Sequence, residues 1–120
     1  MTTLQQNDTL RKAIDGLPCR LSSRVYFDGA GDCCIIAHLS KYAGSSVLSE
    51  TYLRKNNDTK VAMMPSIRKR LSLAFGFDEE TMTTLQTAGD RQYDTKHARC
   101  VGLGSMLGRI LKMRMPGGEQ

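Results

Sequence analysis

Four residues carry the sharpest chemical pattern in this chain. Cys34 and His38 stand four apart, and His97 and Cys100 three apart, so on helices each pair shares a face. Two such faces set against each other would make a Cys2His2 set, the mix of thiolate and imidazole that holds tetrahedral Zn²⁺. Zinc sites that are legible in sequence use tight Cys-x-x-Cys knuckles, and none is present. The plainer reading makes the cysteines small buried hydrophobes, with the histidines at a helix edge. That reading is taken here: no metal and no cofactor is expected. A second chemistry would centre on Cys33. It follows Gly31-Asp32 at an expected helix start, where the positive end of the helix dipole favours a thiolate. His97 would have to lie within reach to act as its base.

The elements that would position these residues are helical. Pro65 suits a first helical position, because its missing N–H would have no partner there. Ile67, Leu71, Ala74 and Phe75 follow on one face. Gly76 suits a left-handed stop, and Asp78 a cap for a second helix, with Phe77 and Met82 at the hydrophobic-staple positions. Residues 65–89 therefore read as a helical hairpin. Asp8 or Asn7 would cap a first helix over 9–15, and Asp32 a helix over 33–43 stopped by Gly44. Ser46 or Ser49 would start a helix towards Lys55, and Thr95 one reaching about Met115. Gly102, Gly104 and Gly108 interrupt that last helix, each at a cost of up to ~1 kcal/mol relative to Ala unless a neighbour packs closely there. Residues 56–60 and 89–94 read as loops. Residues 17–27 are ambiguous, with strand propensity over 24–27.

The fold class expected is all-α, a single domain of five or six short helices over 9–115 around a central hairpin. Residues 1–8 are expected to be frayed and 116–120 to form a flexible tail. The hairpin is expected to pack on the 33–43 helix and on the last helix. The expected core is Leu10, Ile14, Ile36, Leu39, Ile67, Leu71, Phe75, Met82, Leu85, Leu103, Leu107 and Ile110. At 120 residues there is enough chain for one core. The polar N-terminus lacks the apolar run of a signal peptide, and the longest apolar run, 33–37, is too short to span a bilayer. A cytoplasmic protein is expected, with no membrane partner and reduced thiols despite the even cysteine count.

A net charge of +5 allows acidic partners, but falls short of a polybasic nucleic-acid binder. The hairpin has the outline of a helix-turn-helix. Its second helix, however, opens on Asp78-Glu79-Glu80, which would repel phosphate where a recognition helix docks. Positive charge gathers instead at Arg68-Lys69-Arg70 and along the last helix, at Lys96, Arg99, Arg109, Lys112 and Arg114. With Met113 and Met115, these residues form the candidate partner-binding set: Arg68, Lys69, Arg70, Arg99, Arg109, Lys112, Arg114, Met113 and Met115. A basic helix with a methionine face is an ordinary protein-docking element. A protein partner is therefore expected, with nucleic acid as the alternative and a homodimer left open.

Two resemblances attach to these motifs. GDCCIIAHLSKYAG (31–44) resembles the cysteine helix of papain-like peptidases of the NlpC type, whose motif is Asp-Cys-Ser-Gly. That resemblance implies Cys33 as nucleophile and His97 as its partner on a strand. This chain has Cys34-Ile35 where the family has Ser-Gly, and its middle is expected to be helical. FDGAGDCCIIA (27–37) and GFDEETMTTLQTAGD (76–90) are similar to segments of small bacterial and phage proteins of uncharacterised function. This second resemblance implies a helical fold and carries no catalytic residues. Together with the charge and the methionines, it points to a small accessory protein that regulates or inhibits another protein or complex, and no catalysis is expected.

Overall fold

The computed structural model describes residues 3–44, 50–55, 57 and 65–114. Among these residues the protein is an all-α single-domain bundle of six helices. They are α1 (Thr3–Asp15), α2 (Ile35–Tyr42), α3 (Glu50–Lys55), α4 (Pro65–Phe75), α5 (Glu79–Thr87) and α6 (Lys96–Arg114). The expected helix start at Ser46 or Ser49, Met115 and the 116–120 tail lie outside the described residues.

Helix α1 begins at Thr3, six residues before the expected start, so the helix takes in residues 3–8. Local propensity did not decide this. Gln6 Nε2 donates to the Leu73 carbonyl at 3.1 Å, and buried Asn7 accepts from Arg114 at 3.4 Å. Both ties come from distant chain and hold a polar first turn in place.

Helix α2 is the centre of the bundle and packs on α1, α3, α4 and α5. Its first six residues, Ile35–Ser40, are all buried, as expected of a short helix enclosed on every side. Its cap is Cys34, whose Sγ accepts the Ala37 N–H at 3.4 Å. Asp32 is not the cap, and the helix starts two residues later than expected. Asp32 is drawn away because residues 26–34 fold into a tight hairpin. Its single antiparallel bridge joins Phe27 to Cys33, flanked by Cys34 N–H to Tyr26 O and Asp28 N–H to Asp32 O. The strand propensity at 24–27 therefore yields one bridge and no strand. Phe27's outward backbone N–H and C=O are met by the Asn57 amide, at 2.9 and 2.8 Å.

The α4–α5 hairpin follows the expected signals. Gly76 adopts φ +72°, and Asp78 Oδ1 accepts the Thr81 N–H at 2.7 Å. Phe77 and Met82 are both buried. The hairpin packs on α2 as expected, and on α1; α6 lies chiefly along α1. The loop expected at 89–94 is instead a π-turn over Ala88–Gln92 that continues α5. There Gly89 is buried between Ile35 and Leu103, and Asp90 accepts the backbone N–H of Arg24, a left-handed residue at φ +68°.

Ten of the twelve expected core residues are buried; Ile14 and Ile110 pack partly buried against them. Met113, of the candidate partner-binding set, is 86% exposed. The α6 glycines differ in role. A Cβ at Gly102 would collide with the Tyr93 ring, one at Gly104 would lie 3.1 Å from Leu17 Cδ1, and one at Gly108 meets nothing. Gly102→Ala should therefore lower stability by about 1–3 kcal/mol through overpacking. Gly108→Ala should leave it unchanged or raise it by up to ~1 kcal/mol. Urea melts of the two variants check this, and equal midpoints would refute the packing role of Gly102.

Candidate functional site

The fold separates the cysteine and histidine residues that could have met. His38 is buried on α2, and its Nε2–H donates to the Ala13 carbonyl at 2.8 Å. Cys34 is committed to the α2 cap, and burial pushes its thiol up to about 12. His97 and Cys100 sit at the start of α6. There His97 Nδ1–H donates to Cys19 O at 3.3 Å, and Cys100 Sγ–H donates to Pro18 O. The Cys2His2 set is not assembled. Among the described residues, no group of three or more His, Cys, Asp or Glu side chains converges as a metal site requires.

Cys33 lies in the extended bridge and not on the first turn of a helix, so the helix dipole that would lower its pKa is absent. Burial raises its pKa instead. His97, expected on a strand by the peptidase resemblance, is on α6.

The strongest electrostatic cluster was not singled out in the sequence. Lys96 Nζ, on the first turn of α6, lies 2.6 Å from Asp28 Oδ2 and 2.8 Å from Asp32 Oδ2, while Arg20 Nε is 3.3 Å from Asp32. The turn sets this geometry: Asp28 Oδ1 accepts the N–H groups of Ala30 and Asp32, each at 3.0 Å, and Gly31 takes φ +88°. Hydrogen bonding from Lys96 holds both carboxyls below the ordinary carboxylate range, and those carboxylates raise the lysine in turn. Two aspartates four apart around Gly-Ala-Gly were the legible signal; their cationic partner lies 64 residues away in sequence. The cluster seats the 26–34 hairpin on α6.

The candidate partner-binding residues divide into two groups. Arg99 is buried, donating to Leu21 O at 2.8 Å and Tyr93 O at 3.0 Å. Arg114 closes the carbonyl end of α4 through Phe75 O at 2.6 Å and Gly76 O at 2.9 Å, a favourable place for a cation. Arg68 pairs with Glu79 at 2.9 Å. Lys69, Arg70, Arg109, Lys112 and Met113 are exposed.

Leu4 (79% exposed), Leu73 (53%) and Met113 are large apolar side chains in water. Each lies within a turn of the Gln6–Leu73 and Arg114–Asn7–Phe75 ties. All three therefore stand at the end of the bundle where the start of α1 meets the ends of α4 and α6.

Comparisons with protein-family models, curated proteins and solved structures found no match for this chain.

His38 gives the fold a pH dependence. Burial lowers its pKa from the model-peptide value of 6.5. Between the lowered value and 6.5 the unfolded chain binds a proton that the native state refuses, so stability is complete above this window and falls as pH drops through it. The urea midpoint should decline from pH 7 towards pH 5, ahead of carboxylate titration. His38→Gln should flatten that decline; an unchanged slope in the variant would refute the assignment.

Proposed function

We propose that this protein acts by binding another protein, as a small accessory factor that regulates or inhibits its partner. The observation that carries this reading is the end of the bundle bearing Leu4, Leu73 and Met113. Single exposed apolar residues are ordinary, but three at one junction of helix ends, with Lys112 and Arg109 on the same α6 segment, offer an adaptable contact surface. The state of the thiols supports binding over catalysis, since Cys33 and Cys34 are both pushed towards the protonated form.

The alternative is nucleic acid. The inward turn of Arg99 and the capping role of Arg114 favour the protein reading over it, because both remove cations from the surface that would track phosphates.

Affinity capture with the full chain from lysate of the source organism tests the reading. The wild type should retain a stable protein partner. Leu73→Asp and Met113→Asp should each weaken capture by about tenfold or more, as loss of a central apolar contact does. No retained partner would overturn it. So would duplex DNA binding that falls steeply between low and physiological salt and is lost in Lys112→Glu.

A further inference from the structure

The segment at 16–22 is laid against the first half of α6 by a ladder of separate contacts. Leu17 Cδ1 faces Gly104, Cys100 Sγ–H donates to Pro18 O, and His97 Nδ1–H donates to Cys19 O. Leu21 N–H then donates to Lys96 O at 3.2 Å, and Leu21 O accepts from Arg99. The thiol of Cys100 thus rests on the peptide unit that joins Pro18 to Cys19. Cys19 itself is exposed and Cys100 half-buried, and both are free thiols. A disulfide requires the two Cα atoms within about 7 Å; the Cys100 sulfur lies against the carbonyl directly preceding Cys19, and the Cys19 thiol is near enough to contribute to raising the Cys100 pKa.

We propose that Cys19 and Cys100 form a redox latch, a reversible disulfide that fastens the 16–22 segment to α6. The oxidant is a low-molecular-weight disulfide such as oxidised glutathione. Cys19, as the exposed thiol, loses its proton and attacks one sulfur of the oxidant. A Cys19–glutathione bond forms, the oxidant's S–S bond breaks, and one glutathione thiolate leaves. Cys100 then gives up its proton and its hydrogen bond to Pro18 O and attacks Cys19 Sγ. The Cys19–Cys100 bond forms and the second glutathione leaves. Overall, two protein thiols are oxidised and one oxidised glutathione is reduced to two glutathione molecules. Burial raises the Cys100 pKa, so the closing step quickens as pH rises. An exposed disulfide of this kind is the labile, regulatory sort, suited to a compartment where thiols are otherwise reduced. By joining residues 81 apart in sequence it also restricts the unfolded chain.

The test treats the full chain with oxidised glutathione at neutral pH, traps remaining thiols with an alkylating agent, and weighs the intact protein. The latch predicts a product two hydrogens lighter with two thiols unlabelled, a peptide map joining Cys19 to Cys100, and a Tm higher by about 5 °C or more. Cys100→Ser should stop at the mixed disulfide, heavier by one glutathione on Cys19, and Cys33→Ser should oxidise as the wild type does. A wild-type product that keeps glutathione on Cys19, a link through Cys33 or Cys34, or four alkylatable thiols after treatment would overturn the proposal. Each of these readouts is independent of any binding partner.

Discussion

The bundle depends on the enclosure of α2. An eight-residue helix has little stability of its own, and this one buries its first six residues among four neighbours. Enclosure removes water from the polar groups of that buried stretch, so each needs a protein partner. Cys34 Sγ takes the Ala37 N–H, Ser40 Oγ donates to Ile36 O, and His38 reaches Ala13 O on α1. The last of these bonds sets α1 against α2. It also makes His38 the titratable group whose protonation opposes folding.

Around that centre, charged side chains act mostly as fasteners. Arg114 joins three helix ends, and Arg99 links two segments through their carbonyls. Lys96 joins the 26–34 hairpin to α6, and Arg54 lies 4.1 Å over the Phe27 ring, tying the same hairpin to α3. Among the described residues, Arg68, Lys96, Arg99 and Arg114 are drawn at least partly out of water by these ties, while the other basic side chains stay exposed. Arg109 and Lys112 are exposed on the last part of α6, towards the end of the bundle that carries Leu4, Leu73 and Met113. The proposed protein-binding reading rests on that juxtaposition of cations and apolar side chains. Lys96 and Arg99 bind the first turn of α6 to the same stretch that the Cys19–Cys100 latch would close. The redox proposal thus concerns a junction already central to the fold.

Local signals were legible where one residue's backbone chemistry settles the matter. Gly76 stops α4 at positive φ, Asp78 and Thr95 cap the helices that follow them, and the apolar face of α4 is buried at Ile67, Leu71, Ala74 and Phe75. These features need only a few neighbouring residues, so the chain states them directly. A local signal failed where distant chain claimed the same residue. Asp32 was the expected cap for α2, and the hairpin moved the cap to Cys34 by turning Asp32 towards Lys96.

The sequence by itself therefore determined the all-α class, the central hairpin, most of the core and the boundaries of α4, because these follow from periodicity and capping within about ten residues. Only the tertiary structure decided which ionic and polar groups face water. Arg99 and Arg109 sit ten apart on one helix, yet the first is buried against carbonyls and the second is exposed. Cys34, His38, His97 and Cys100 paired correctly on their own helices but face different neighbours, because α2 is enclosed by four helices while the start of α6 is covered by the 16–22 segment. Spacing fixes which residues share a face; what that face meets is set by contacts far apart in the chain.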